Sequence, residues 1–145
     1  MALSMLNNNC FDADGVVNII NSGTIGNPIT FKAYIKPDGS KEEPVLNRNV
    51  GNRVIRILGK ENVVIEGLSV TGATKGQLGS SVGVDIDEFS KHILIKNTKA
   101  YQNGKGFKAS KSSNITFDGI RAYLNGPDNG VGILLGAMPS VANAS

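Results

Sequence analysis

One pattern occurs three times between Asn62 and Gly136, and it constrains the fold more than any other feature of the chain. The segments that start at Asn62, His92 and Asn114 each open with a polar residue and continue with two apolar residues at alternate positions. A second apolar or small pair follows three residues later. The three starts lie 30 and 22 residues apart (92 − 62 and 114 − 92). Repetition at such a period is typical of a solenoid, in which each repeat packs on the next.

Two further series of short segments accompany this one. Alternating segments precede it at Ile55, Val84, Phe107 and Ile133, and others follow it at Leu68, Thr98 and Ile120. Each unit therefore contains three short strands separated by polar turns. The pattern predicts an all-β fold, a right-handed single-stranded parallel β-helix of about four to five coils with three short parallel sheets. The residues predicted to point inward are Ile55, Ile57, Val63, Ile65, Leu68, Val70, Val84, Ile86, Ile93, Ile95, Thr98, Ala100, Phe107, Ala109, Ile115, Phe117, Ile120 and Ala122.

Two other architectures fit the pattern less well. Leucine-rich repeats need a fixed leucine and asparagine consensus that this sequence lacks. A β-sandwich needs hairpin turns, which the Asn103-Gly104 and Asn125-Gly126 pairs could supply. Both pairs, however, occupy the same place in successive units, as the corner of a coil would. We therefore expect Asn103 and Asn125 to stack and to bond one coil to the next.

The predicted domain begins after a short lead-in. Residues 1–14 show no period and are predicted to be a lead-in or an N-terminal cap. Residues 15–145 form the β-helix domain, with early strands predicted at residues 15–20 and 28–34. Residues 140–142 resemble the beginning of a strand that is not completed, so the domain is predicted to be truncated within its last coil. Exposed solenoid ends or faces favour self-association.

Composition excludes several classes of function. The net charge is only +3 and the charges of both signs are interspersed, so we expect no nucleic-acid partner. Apolar runs are five residues or fewer, so no membrane span is predicted. Cys10 is the only cysteine, which rules out an intramolecular disulfide. The first residues have neither the basic start nor the hydrophobic region of a secretory signal.

A resemblance to a known superfamily appears in two places. The repeated Asn/His-Ile-x-Ile-x-Asn/Gly unit resembles the β-helix repeat of the pectate-lyase-like superfamily. The segment from Ser22 to Tyr34, SGTIGNPITFKAY, resembles the opening common in its bacterial polysaccharide lyases. The resemblance implies a parallel β-helix, a secreted or extracellular protein, and action on an acidic polysaccharide. Because the scaffold carries lyases, hydrolases, epimerases and binding modules, it does not select one activity.

Lyases of this superfamily neutralise an uronate carboxylate, often with Ca²⁺, so that a Lys or Arg base can remove the adjacent proton. The resemblance directs attention to the outward positions of the first sheet, Arg56, Asp85, Lys108 and Leu134, with Asp87 and Ser110 just beyond. The Asn-Gly-Lys-Gly-Phe-Lys segment at residues 103–108 resembles the step near a catalytic lysine, with lysine where the family has an aspartate. It implies Lys108 and Arg56 as candidate catalytic residues.

Other residues are candidates for ligand binding. Asp85, Asp87 and Glu88 form the one tight acidic cluster, and their oxygens are suitable ligands for calcium. Lys105 and Lys111 flank Lys108, and Tyr101 and Tyr123 occupy matching positions where they could stack or bind a sugar. The alternative for each is a solvated or structural role. His92, the only histidine, occupies the turn position held by Asn62 and Asn114, which indicates a structural role.

Two functional hypotheses remain open. In the first, the chain is a carbohydrate-active β-helix that performs lyase-like β-elimination on an acidic polysaccharide or binds an acidic glycan. In the second, it is a non-catalytic structural or assembly module, or a fragment of a larger β-helix protein.

Overall fold

The computed structural model describes residues 15–75, 81–126 and 130–136 and contains thirteen β-strands there. The strands are β1 (Val17–Asn18), β2 (Ile29–Lys32), β3 (Val45–Asn47), β4 (Arg53–Leu58), β5 (Glu61–Glu66), β6 (Ser69–Thr71), β7 (Val82–Asp87), β8 (Lys91–Lys96), β9 (Lys99–Tyr101), β10 (Lys105–Ala109), β11 (Ser113–Asp118), β12 (Arg121–Tyr123) and β13 (Val131–Leu135).

Every third strand joins the same sheet, and all pairings between the strands are parallel. Sheet 1 has the order β1-β4-β7-β10-β13, sheet 2 the order β2-β5-β8-β11, and sheet 3 the order β3-β6-β9-β12. The chain thus passes through the three sheets in turn and returns to the first, one strand further along. This confirms the predicted all-β fold, a parallel β-solenoid with three short parallel sheets.

The alternating apolar residues fill the interior. In sheet 1, Ile55, Val84, Phe107 and Ile133 lie side by side in register, and Ile55, Val84 and Phe107 are at most 1% exposed. The ring of Phe107 meets the edge of Phe117 from sheet 2, with centroids 5.7 Å apart. Burial decreases in the last described coil, where Ile115, Phe117, Ile120 and Ala122 are only partly buried against the core. The predicted inward residues are confirmed in their columns.

The corners of the coil repeat as regularly as the strands. Asn62, His92 and Asn114 are the second residues of β5, β8 and β11, next to the corner where each strand begins, and have φ angles of 55°, 53° and 53°. Asparagine and histidine adopt this left-handed conformation more readily than most residues, which explains their choice at a turn. The structural role predicted for His92 is consistent with this position.

The sequence pattern did not assign strands β2 and β3 to a sheet. The repeat predicted sheets 2 and 3 from Asn62 and Leu68 onward. In the structure β2 pairs with β5 and β3 pairs with β6, so each sheet begins one coil earlier. The segment between β2 and β3 is longer than the equivalent connection in later coils, so the sequence did not indicate that the two are equivalent. Residues 1–14 and the strand predicted at residues 140–142 lie outside the described residues.

Candidate functional site

The polar column predicted on the outside of sheet 1 is present in register. Arg56 pairs with Asp85, Asp85 with Lys108, and Lys108 with Leu134 in neighbouring strands. Neighbouring parallel strands lie about 4.8 Å apart, so these side chains share one face within reach of one another. The structure therefore brings together Arg56, Asp85 and Lys108.

Asp85 is the centre of an ion-pair network on this face. It is 2% exposed, although it lies on the outside of the sheet. Its Oδ2 accepts a hydrogen bond from Arg53 Nε at 2.5 Å, and its Oδ1 accepts one from Lys108 Nζ at 3.2 Å. A carboxylate buried to this degree is unfavourable unless it is paired, and two cations pair it here.

Lys108 bridges the two aspartates of the predicted acidic cluster. Its Nζ also donates to Asp87 Oδ2 at 3.0 Å. Burial by itself would lower the pKa of Lys108, but Asp87 and Asp85 outweigh this effect and raise the pKa above its ordinary value. A general base works best with a pKa near the operating pH, so these contacts favour a permanently charged Lys108 over a base.

The pKa of Asp87 moves in the opposite direction. Burial opposes ionisation, yet hydrogen bonds from the Glu88 backbone N–H, Lys108 and Ser110 outweigh it and lower the pKa. Glu88 itself lies in the following turn with φ 56° and is exposed. Within the described residues no group of three or more His, Cys, Asp or Glu side chains could hold a metal ion. Calcium binding by Asp85, Asp87 and Glu88 stays a prediction.

A second feature adjoins this network, at the corner where sheet 3 leads into sheet 1. Here a pocket of about 280 Å³ is lined by four cations. We call it the basic pocket and define it by Arg48, Arg53, Arg56 and Lys75. The described residues that line it include no carboxylate, and of its four cations only Arg53 forms an ion pair in the described part of the chain, with Asp85. Like charges held together in this way make a site of strongly positive potential.

Two arginines of the basic pocket each have an Nε atom without a hydrogen-bond partner. The Nε atoms of Arg48 and Arg56 are buried, and neither has a partner among the described residues. A buried donor without a partner costs about 1–3 kcal/mol, and more when it is charged. An acceptor oxygen from an ordered water, an ion or a ligand would complete such a group.

The loop that builds this pocket is held in a strained conformation. Asn49 and Val50 have φ angles of 46° and 68°, and a β-branched residue rarely adopts such an angle. The carbonyl of Gly72 holds the loop by accepting hydrogen bonds from Val50 N–H at 3.0 Å and Gly51 N–H at 3.3 Å. In return, Lys75 N–H donates to the Gly51 carbonyl at 3.0 Å. Two loops from successive coils are thus tied together around the pocket.

Lys105 is the first residue of β10, and Lys111 lies just after the end of this strand. Lys105 is in register with Val82, and Val82 with Arg53, so Lys105 occupies the position of Arg53 two coils further along. Lys111 lies in the turn after β10, where its carbonyl accepts a hydrogen bond from Phe89 N–H at 2.7 Å. Lys105 is therefore placed along the axis from the basic pocket, and Lys111 is on the other edge of sheet 1.

Tyr101 and Tyr123 lie in register on sheet 3 and stack, as predicted. Their ring centroids are 5.2 Å apart and their planes differ by 11°. Because each ring covers a face of the other, this geometry accounts for a stabilising contact between coils. A sugar packs on an aromatic face, so the stack leaves fewer faces for one. Sugar binding by these tyrosines stays a prediction.

Sequence reasoning missed three of the four cations of the basic pocket. Arg48 and Lys75 lie in corner loops outside the repeating strands, and Arg53 opens β4 before the alternation becomes regular. One feature of the sequence does indicate the pocket. Arg48, Arg53, Arg56 and Lys75 are four cations among the residues that flank two successive turns, with no acid between Arg48 and Arg56.

No protein-family model, curated protein or solved structure matches the chain. The fold defines the class as an all-β protein with three parallel sheets built by successive coils and a basic pocket at one corner. Among the described residues there is no helix long and apolar enough to cross a membrane.

Proposed function

We propose that the chain is a carbohydrate-binding β-solenoid of the pectate-lyase-like type, and that it takes an acidic polysaccharide. In this proposal a carboxylate of the polymer enters the basic pocket and accepts hydrogen bonds from Arg48 and Arg56. The observation that carries the proposal is the pair of buried, unpartnered Nε atoms in a pocket lined by four cations.

The chemistry of the pocket suits a carboxylate. A guanidinium presents donors in a planar fork that matches the two oxygens of a carboxylate, and such charge-assisted bonds are about twice as strong as neutral ones. An anion would also relieve the repulsion among Arg48, Arg56 and Lys75, none of which forms an ion pair in the described part of the chain.

The direction of the solenoid suits a polymer. Lys105 lies two strand spacings from Arg53, about 10 Å along the axis. A chain with regularly spaced carboxylates that is anchored in the basic pocket can follow the edge of sheet 1 toward Lys105. Two contacts on one polymer raise its affinity beyond that of either contact alone.

Binding is favoured over elimination because of the contacts of Lys108. Its ammonium group is held by Asp85 and Asp87, and both raise its pKa. A lysine in this state is a poor acceptor for the proton that a lyase must remove.

Affinity electrophoresis in native gels that contain polygalacturonate, alginate or neutral dextran tests the proposal. We expect retardation in the two acidic polymers and none in dextran. Arg56→Gln and Arg48→Gln should each weaken the retardation about tenfold, which corresponds to about 1.4 kcal/mol. Arg121→Gln, which removes the same charge from an exposed position on sheet 3, should bind like the wild type.

Two outcomes would overturn the proposal. One is equal retardation by dextran, and the other is equal weakening by Arg121→Gln and Arg56→Gln, which would mean that only net charge matters. A rise in the ultraviolet absorbance of an unsaturated uronate product, lost in Lys108→Gln, would assign the elimination hypothesis instead.

A further inference from the structure

The outer face of sheet 2 carries a row of charges that alternates in sign from coil to coil. The row consists of Lys32, Glu66, Lys96 and Asp118, one from each strand of the sheet, in register. We call it the charge row. None of the four forms an ion pair within 4.0 Å in the described part of the chain.

A second row runs beside it, two residues earlier in each strand. Thr30, Val64, Leu94 and Thr116 lie in register and are half-buried or exposed on this outer face. The row is apolar in the middle and has threonine at both ends. Three of the four strands that form this face have six residues and β2 has four, and at one edge of the face the loop before β3 lines a pocket of about 350 Å³ together with Lys32 and Glu66.

Both rows are self-complementary when their order is reversed. Read from β2 to β11, the charges are plus, minus, plus, minus, and read backward they are minus, plus, minus, plus. A two-fold axis parallel to the strands, between β5 and β8, would place a second copy with its coils in reverse order. Lys32 would then face the second copy's Asp118, and Glu66 would face the second copy's Lys96. In the neighbouring row Val64 would face Leu94, and the threonines would face each other.

We propose that this face is the interface of a symmetric dimer with antiparallel solenoid axes. A two-fold interface uses the same patch on both subunits, so each contact occurs twice, and a face that is complementary to its own reversal meets this requirement. Opposite potentials across the interface select the register, because a shift by one coil places like charges opposite each other. The apolar middle row supplies the area removed from water.

The size of the face determines how strong the dimer is. Four strands about 4.8 Å apart, three of six residues and one of four, cover about 350 Å² on each copy. A stable interface of standard size buries about 800 Å² on each partner. The dimer is therefore weak, with a dissociation constant on the order of 100 μM, and sensitive to salt.

Charge reversal tests the register directly. Sedimentation velocity of the wild type between about 10 μM and 1 mM should show a dimer that becomes weaker as salt rises from about 0.05 to 0.5 M. Glu66→Lys and Lys96→Glu should each weaken dimerisation about tenfold or more, because each places like charges opposite at the centre. Lys111→Glu, an exposed reversal in the turn after β10, away from the charge row, should dimerise like the wild type.

Mixing the two reversed variants separates contacts between copies from contacts within one copy. In an equimolar mixture, Lys at position 66 of one copy faces Glu at position 96 of the other, and the unchanged pair also matches. The mixture should recover wild-type dimerisation, and so should the double variant E66K/K96E. Circular dichroism melting would establish that each variant is folded.

Three results would overturn the proposal: a wild type that is monomeric at 1 mM, single variants that dimerise normally, or a mixture without recovery. The proposal is independent of acidic-glycan binding, since the basic pocket lies at the corner between sheets 3 and 1 and the dimer face lies on sheet 2. Failure of one leaves the other intact.

Discussion

The backbone N–H of Asn103 donates a hydrogen bond at 3.1 Å to the side-chain oxygen of Asn125, its counterpart one coil further along. The side chain of Asn103 extends the contact in the other direction. Its Oδ1 accepts from Ala73 N–H at 3.0 Å, and its Nδ2 donates to the Val70 carbonyl at 3.1 Å. One buried amide thus joins three coils.

Asn103→Ala should lower the free energy of unfolding by about 2–4 kcal/mol, because it leaves several buried backbone groups without partners. Asn125→Ala should cost less, since Asn125 is only half-buried. Urea denaturation followed by circular dichroism measures both. Equal losses for the two variants would contradict the role assigned to Asn103.

Gly106 lies where the chain has no room for a side chain. A Cβ atom there would be 2.5 Å from the Gly132 carbonyl oxygen and 3.0 Å from Asn125 Nδ2. Gly106→Ala should therefore destabilise by about 2–4 kcal/mol, because the backbone of the next coil would have to move. Gly39→Ala, where a Cβ would meet nothing within 4 Å, should cost only about 1 kcal/mol for its positive φ. Thermal melting compares the two variants, and a similar loss at Gly39 would contradict the steric reason.

Asp85 compensates two cations, so its removal should matter more than the removal of either. Asp85→Asn keeps the size of the side chain but leaves Arg53 and Lys108 without their shared charge partner, and should cost about 2 kcal/mol. Lys108→Met should cost about 1 kcal/mol, since Arg53 still pairs Asp85. In a double-mutant cycle of urea midpoints the two losses should not add. Additive losses would mean that the residues do not interact.

The lowered pKa of Asp87 predicts how the free energy of unfolding depends on pH. Its folded-state pKa lies below the ordinary value, so the folded protein binds fewer protons here than the unfolded chain does. Its contribution is complete above the unfolded pKa of about 3.9 and is lost as the pH falls through the folded pKa. Asp87→Asn should therefore flatten the loss of stability as the pH falls below about 4. Urea midpoints measured across this range test it, and an unchanged slope would contradict it.

The repeating strands could be predicted because their residues obey one rule in every coil. Ile55, Val84 and Phe107 differ in size but all must fill the same interior column, and the alternation on either side is strict. Tyr101 and Tyr123 could be matched for the same reason, since each occupies the last position of a three-residue strand. Because each coil must place an apolar side chain at the same interior position, the sequence repeats that residue type once per coil.

The basic pocket could not be predicted in this way, because the corner between sheets 3 and 1 differs in length from coil to coil. Val50 adopts a left-handed conformation that its β-branched side chain disfavours, and only the contacts to Gly72 explain how it is held. Arg53 reaches a carboxylate 32 residues away in sequence, across one coil. Side chains that cross from coil to coil at a corner depend on loop lengths, which the alternation does not encode.

The number of residues per coil varies, and this variation shows where residues can be inserted into the chain. From Ile55 to Val84 the chain takes 29 residues (84 − 55) to return to sheet 1, but from Val84 to Phe107 it takes 23 (107 − 84). The register of the strands is the same in both cases, so the surplus is absorbed between β6 and β7, in the corner that carries Lys75. Insertions at that corner change the lining of the basic pocket while the hydrogen-bonded sheets keep their alignment. The shape and charge of the pocket can therefore be altered by loop grafting, with the three sheets left unchanged.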